Sequence, residues 1–112
     1  MSGNGYVAVL VVQLHFPDAS SLKGKRRELQ RIKAQLQGRL GAAVAETAHH
    51  DRWQRAELTA ALTARSARDA EAIADAAERW LEAHSPDGLR VERLLASVED
   101  LRGFPASPGR GD

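Results

Sequence analysis

The pattern of hydrophobic and polar residues predicts four strands, three from alternation with a period of two and one from a continuous apolar run. The first segment, Tyr6 to Phe16, is apolar on both alternating faces, which is typical of a central strand covered on both sides or nearly so. Ala43 to Ala48 and Trp53 to Ala64 resemble a hairpin pair joined by a polar connection at residues 49–52. The last segment, Leu89 to Val98, alternates enough for a fourth strand.

Two other segments repeat with the period of a helix. Ser21 and Ser66 can serve as N-caps, and Asp69 can complete a capping box with Ser66. Gly38 and Gly41 suit the end of the first helix. The apolar stripe of the first helix comprises Leu22, Leu29, Ile32, Leu36 and Leu40. That of the second comprises Ala70, Ile73, Ala74, Ala77, Trp80 and Leu81.

The element order is therefore β-α-β-β-α-β, which predicts an α+β fold. Two right-handed crossovers give a ferredoxin-like two-layer sandwich, a four-stranded antiparallel sheet with two helices on one face. The first and third strands are expected in the middle. We predict a flexible lead at residues 1–5, a single domain at 6–101 and a disordered Gly/Pro-rich tail at 102–112.

The face of the sheet opposite the helices has no predicted element to cover it. Val7, Val9 and Val11 would lie on this face, with Ala61 nearby. Such a strip commonly marks a partner surface, here for a homodimer or another protein. The alternative is a shallow patch that the tail or long polar side chains shield, and the sequence leaves both interpretations open.

Composition excludes several classes of function. The chain has no cysteine, which excludes disulfides, thiolate zinc sites and cysteine nucleophiles. The apolar run from Val7 to Val12 is too short to span a bilayer and lacks the basic start of a signal peptide. We therefore expect a cytoplasmic protein without a membrane partner. A formal net charge of only +1 argues against strong non-specific binding of nucleic acid.

The first helix concentrates positive charge. It carries seven basic residues against the single acid Glu28. Lys23, Arg27 and Arg31 follow one another at spacings of four, where like charges repel by about 0.2–0.5 kcal/mol per pair. A phosphate backbone would compensate this repulsion. So would pairing with the acids of the second helix, which are Asp69, Glu71, Asp75, Glu78 and Glu82.

Two further side chains have competing interpretations. Trp53 lies between Arg52 and Arg55 and could stack a base, but such a residue more often buries its ring at a hairpin end, and we favour packing. Lys25 lies close to the apolar arc of the first helix. We expect its stem to be buried with the ammonium in water, with pairing to Glu46 or Asp51 as the alternative.

We find no catalytic or metal-binding motif. His49, His50 and Asp51 are adjacent in the chain and would point in alternating directions, which makes a poor metal or acid–base site. The GxxG at Gly38–Gly41 would run from a helix into a strand, unlike the loop of a KH domain. The centres of the middle strands lack the aromatic residues that RRM domains use. We therefore expect a non-enzymatic protein with no cofactor or metal.

Three blocks of sequence resemble a known family. Ser21 to Arg26, Val44 to Glu46 and Asp51 to Ala56 together resemble the YlxP-like family of small bacterial proteins, over residues 6 to about 98. The resemblance implies a ferredoxin-like fold and no assigned molecular function. Genes of that family often lie among those for translation initiation and ribosome maturation, which implies a ribosomal or RNA context. Gly24 departs from the acidic or other polar residue that the family usually has there.

The leading hypothesis is therefore an accessory protein that binds a ribosomal particle or structured RNA. Its phosphate contacts would be Lys23, Arg26, Arg27, Arg31 and Arg55. The alternative is a homodimeric interaction module that uses the open sheet face and has no nucleic-acid role. A small-molecule sensor ranks last, because the turn at residues 17–20 lacks the glycine that such modules commonly use.

Overall fold

The computed structural model describes residues 4–103, and it confirms the predicted α+β, ferredoxin-like class. The elements follow the order β-α-β-β-α-β, with one short helix added at the end. They are β1 (Tyr6–His15), α1 (Leu22–Leu40), β2 (Ala43–Ala48), β3 (Arg55–Ala64), α2 (Ala67–His84), β4 (Arg90–Ser97) and α3 (Val98–Arg102).

The four strands form one antiparallel sheet in the order β2-β3-β1-β4, so the first and third strands are central, as predicted. Val9 of β1 lies opposite Ala61 of β3 and Leu94 of β4. At the end of the sheet, His15 lies opposite Arg55. Because side chains alternate along a strand, this register decides which residues share the face covered by the helices and which share the open face.

The core lies between the sheet and the two long helices. Alternate residues of β1 and β3 are buried on the helix side. From α1 the buried apolar residues are Leu29, Ile32 and Leu36. Helix α2 contributes three alanines and one leucine, namely Ala70, Ala74, Ala77 and Leu81. Within residues 4–103 neither long helix covers the opposite face, and Val7, Val9 and Val11 are only partly buried there.

The helix ends follow the predicted chemistry. The hydroxyl of Ser21 accepts a hydrogen bond from the Gly24 amide at 3.0 Å, and that of Ser66 accepts one from Asp69 at 3.1 Å. Gly41 caps α1 in the left-handed region, with φ of 68°, where a residue with a Cβ is strained. Gly38 lies inside the helix, and α1 runs directly into β2, unlike the helix–loop–helix of a KH domain.

Several boundaries differ from the sequence prediction. The strand β3 begins at Arg55 rather than Trp53, and β4 ends at Ser97 because Ser97 and Asp100 form a capping box that begins α3. Hydrogen bonds from the Ser97 amide and hydroxyl lower the pKa of Asp100. The predicted single domain therefore continues to Arg102 as regular structure.

The predicted lead and tail are only partly described. Asn4 and Gly5 accept hydrogen bonds from the amides of Glu99 and Val98, and Gly103 is the C-cap of α3. These contacts place residues 4–5 and 102–103 against the folded chain, although the sequence assigns them to the flexible lead and the disordered tail. Residues 1–3 and 104–112 of those two segments lie outside the described residues.

The two glycines at the end of α1 provide a test of this description. Gly38→Ala should raise the free energy of unfolding by about 0.5–1 kcal/mol, because a Cβ there meets no atom within 4 Å and alanine favours the helix. Gly41→Ala should lower it by about 1 kcal/mol, because of the positive φ. Urea denaturation of both variants checks the opposite signs. Equal effects would contradict the assigned end of the helix.

Candidate functional site

Most cations of the first helix are exposed on the surface of α1, and Lys25 is buried. Lys23, Arg26 and Arg27 are all solvent-exposed, and none has an ion-pair partner within residues 4–103. Arg31 pairs with Glu28 of its own helix at 2.8 Å, with both side chains about half-exposed. Such exposed pairs contribute little to stability, so the basic character of this face remains.

The acids of the second helix do not neutralise these cations. Asp75 and Glu78 bind Arg93 of β4 instead, at 2.9 and 2.7 Å. The hydrogen bond to Glu78 is the main reason that the pKa of Arg93 is raised, with Asp75 adding to it and burial opposing it. Over the described chain no α2 carboxylate pairs with an α1 cation. The cross-helix interpretation offered by the sequence is therefore wrong.

Lys25 is buried rather than snorkelling, which corrects the expectation from the sequence. Only 1% of its side chain is exposed. Its Nζ lies 3.2 Å from Glu46 Oε2 and donates a hydrogen bond to the carbonyl oxygen of His49 at 2.5 Å. His49 has φ of 63°, a left-handed conformation that histidine adopts more readily than most residues. The buried ammonium therefore holds the turn after β2 against the first turn of α1.

Gln54 joins the same turn to the loop between β1 and α1. Its side-chain amide donates to the carbonyl oxygens of Pro17 and Ala19 at 3.1 and 3.3 Å. The backbone carbonyl of Gln54 accepts from the Phe16 amide at 2.9 Å. The three blocks that carry the family resemblance thus meet in space, and Ser21, Lys25, Glu46 and Gln54 have structural roles there.

The end of the sheet beside these contacts forms a basic surface. Three grooves meet at His15. One of about 510 Å³ contains Arg52, Trp53 and Arg55, one of about 450 Å³ contains Arg27, and one of about 610 Å³ contains Arg55 and Arg90. We call His15, Arg27, Arg52, Trp53, Arg55 and Arg90 the basic end.

Of the residues proposed from the sequence, Arg27, Arg55 and Trp53 line these adjoining grooves. Lys23, Arg26 and Arg31 lie on α1 outside the three grooves. Trp53 is 52% exposed, so the preference for a buried packing role was wrong. The grooves also contain His15, Arg52 and Arg90, which were not proposed as site residues. The strand register could have indicated two of them, since His15 pairs with Arg55 and Gln13 with Arg90.

The open face of the sheet is divided along the strands. Its apolar part contains Val7, Val9 and Val11, next to Leu94, which is 49% exposed. Closer to the basic end, Glu57 accepts hydrogen bonds from Thr47 and Gln13. Hydrogen bonds from Thr47 and Gln13 lower the pKa of Glu57, burial opposes them, and the interaction with His49 lowers the pKa further. Gln13 also lies opposite Arg90, so this polar row forms the border between the apolar part and the basic end.

The adjacent His49, His50 and Asp51 do not converge on one point. His50 contacts the carbonyl oxygen of Glu46 at 3.1 Å, His49 lines the groove of about 610 Å³, and Asp51 lines that of about 510 Å³. Within residues 4–103, no three histidine or carboxylate side chains are grouped to hold a metal ion. None of the helices in this range is both long and apolar enough to cross a bilayer.

A family profile described as "Protein of unknown function (DUF503)" matches residues 7–98. The chain belongs to the DUF503 family. The match covers all four strands and both long helices, and stops where α3 begins. No curated protein matches this DUF503 chain.

Two designed proteins are similar to this DUF503 chain in structure. The de novo designed protein Foldit4 aligns with a TM-score of 0.53 and 13% identity, over 82% of this chain and 96% of its own. A de novo designed protein with ferredoxin fold, LFR1 1, aligns with a TM-score of 0.37 and 16% identity, over 92% and 88%. At 13% identity, the likeness to Foldit4 shows the fold alone.

The role of Lys25 can be tested against its exposed neighbour. Lys25→Met should lower the free energy of unfolding by about 1–3 kcal/mol, because it leaves the Glu46 carboxylate without its counter-ion and the His49 carbonyl without its buried donor. Lys23→Met, two residues earlier and exposed, should change it by less than about 0.5 kcal/mol. Chemical denaturation measures both values, and equal losses would show that Lys25 has no special structural role.

Proposed function

We propose that this protein is a non-enzymatic accessory protein that binds structured RNA, with α1 and the basic end contacting the phosphate backbone. The observation that carries the proposal is that Lys23, Arg26 and Arg27 are exposed and have no acidic partner within residues 4–103, while two carboxylates of α2 bind Arg93 instead. Like charges at helical spacing repel one another. A polyanion would relieve this repulsion and would gain affinity by releasing counterions.

The spatial arrangement supports a phosphate backbone as the ligand. Arg27 and His15 line one groove, and Arg55 and His15 line another, so cations of α1 and of the hairpin lie in adjoining grooves. The first groove also contains the carboxylates of Asp18, Glu28 and Asp87. Phosphate contacts fix the position of a protein on RNA without reading its sequence. We therefore expect binding that depends strongly on salt and weakly on sequence.

The YlxP-like resemblance adds the cellular context to this proposal. Its three blocks contribute to the contacts between the first turn of α1, the turn after β2 and the loop after β1. We propose a cytoplasmic location near the ribosome, which the gene neighbourhood implied by the resemblance supports. We propose a ribosomal particle or structured RNA as the partner on this basis.

Sedimentation with ribosomal particles and fluorescence anisotropy with a labelled RNA hairpin, both across a salt series, test the proposal. Lys23→Glu/Arg27→Glu should weaken RNA binding at least about tenfold at low salt. It should also reduce the slope of log affinity against log salt by about 1 for each phosphate contact removed.

The matched control for this experiment is Arg68→Glu/Arg79→Glu. Both arginines are exposed on α2, and this variant has the same formal net charge as the α1 variant. It should retain most of the binding, because these side chains lie among the acids of α2. If both variants bind like the wild type, or if both lose binding equally, α1 is not the specific RNA contact.

A second function, self-association through the open sheet face, is favoured by a separate observation. Val9 of β1 has Ala61 and Leu94 as its neighbours in the sheet, and Ala43 follows in the same row. These side chains form a continuous apolar row, and no helix covers them. Apolar surface of this kind is typical of contacts between copies of a chain.

Light scattering after size exclusion tests self-association. A dimer would show twice the chain mass of 12.2 kDa, and Val9→Glu should convert it to monomer, because a carboxylate would be buried in the contact. Ala72→Glu on the exposed side of α2 is the control and should remain dimeric. A monomeric wild type at high concentration would contradict this function without affecting the RNA proposal.

A further inference from the structure

The groove at the end of the open sheet face has an unusual charge composition. Its volume is about 610 Å³, within the range of small-molecule sites. Its polar lining consists of Gln13, His15, His49, Arg55 and Arg90, together with Gly88, and no carboxylate lines it. Both arginines are exposed, and neither has an ion-pair partner in the part of the chain that the structure describes. Two permanent positive charges therefore face one small volume.

Two acids near this groove are held elsewhere or line another groove, whereas Glu92, two residues after Arg90 on the same face of β4, is exposed and does not line the groove. Glu57 lies two residues after Arg55, and its two oxygens accept hydrogen bonds from Gln13 and Thr47. Asp51 lines the neighbouring groove instead. Arginine side chains bind phosphate oxygens in pairs of parallel hydrogen bonds. A doubly charged phosphate monoester gains more from two such side chains than a singly charged phosphodiester does.

An exposed aromatic ring lies in the adjoining groove. Trp53 lines the groove of about 510 Å³, which shares His15 and Arg55 with the first groove. Half of the Trp53 surface is exposed, at 52%. Stacking of a base on such a ring contributes about 1–3 kcal/mol. A base on Trp53 and a phosphate between Arg55 and Arg90 would thus lie in two connected grooves.

We propose that the basic end contains a subsite for a nucleoside phosphate monoester. Arg55 and Arg90 bind its phosphate, and Trp53 stacks its base. This chemistry is shared by a free nucleotide and by the phosphorylated end of an RNA strand. If the ligand is the phosphorylated end of an RNA strand, the subsite rests on the proposed RNA-binding function and makes that function more specific. If the ligand is a free nucleotide, the subsite does not depend on that function.

The backbone of the subsite is fixed in position before any ligand binds. His49 has its left-handed conformation, and its carbonyl oxygen accepts a hydrogen bond from the buried ammonium of Lys25. Gly88 has φ of 68°, and a Cβ there would lie 3.0 Å from the Cβ of His15. The loop before β4 can therefore pack this closely on His15 only with glycine. Sites built on a fixed backbone lose less entropy on binding.

Two ligand pairs test the subsite with the full chain. Uridine 5′-monophosphate is compared with uridine through tryptophan fluorescence. A short uridine oligonucleotide with a 5′-phosphate is compared with its 5′-hydroxyl form through the anisotropy of a 3′-label. We expect each phosphorylated ligand to bind about tenfold more tightly than its partner. Trp53→Phe should abolish the fluorescence change, although Trp80 remains.

Arg55→Gln/Arg90→Gln should remove the preference for the phosphorylated ligands, whereas the matched control Arg68→Gln/Arg79→Gln should keep it. Thermal unfolding of each variant verifies that it is folded. The α1 variant Lys23→Glu/Arg27→Glu should weaken the binding of both oligonucleotides and leave the ratio of their affinities unchanged. This result separates the subsite from the RNA contact on α1.

The outcomes distinguish the two proposals. A response to the mononucleotide without any binding of oligonucleotides or RNA supports the subsite with a free nucleotide as its ligand and refutes the RNA function. Equal binding of phosphorylated and unphosphorylated ligands by the wild type overturns the subsite and leaves the RNA function standing. The subsite is also overturned if Arg55→Gln/Arg90→Gln still prefers the phosphorylated ligands.

Discussion

The ammonium of Lys25 is the contact on which the arrangement of the candidate site depends. It brings the first turn of α1 against Glu46 of β2 and the carbonyl oxygen of His49. A buried charge is costly unless it is paired and hydrogen-bonded, so alternative positions of the hairpin that leave this ammonium alone are disfavoured. One buried side chain thereby sets the distance between the cations of α1 and those of the hairpin.

The one-sided packing of the sandwich explains the remaining surface. Both long helices cover the same face of the sheet, so the alternate residues of every strand remain accessible on the other face. On that face the strand register sorts side chains by their distance from the sheet end. Valines come first, then the row of Thr47, Glu57, Gln13 and Arg90, and finally His15 and Arg55. An apolar surface and a basic surface therefore coexist on one small domain.

The elements of the fold could be predicted from the sequence, because each depends on local periodicity. Helix α1 begins after Ser21 and is capped by Gly41, and β2 has the predicted bounds. The roles of Lys25 and Trp53 could not be predicted in this way. Lys25 is buried by residues more than twenty positions away, and the exposure of Trp53 follows from the short turn that precedes β3.

The basic end could be predicted only in part, for the same reason. Arg55 and Trp53 are neighbours in sequence, but Arg90 reaches them through the pairing of β1 with both β3 and β4. Sequence patterns specify which face of a strand a residue occupies. They do not by themselves fix the offset between neighbouring strands, because a shift of two residues keeps every side chain on its face. Residues such as His15, which lie where several elements end, are therefore the hardest to assign.

The pairing of Arg93 with Asp75 and Glu78 keeps the charge of the two long helices apart. The helix layer thus has a positive half on α1 and a negative half on α2, while the whole chain carries a formal charge of only +1. A molecule with little net charge but separated halves experiences a torque in the field of a polyanion. It would turn α1 forward before contact, so that its encounters are oriented by long-range forces and slow as ionic strength rises.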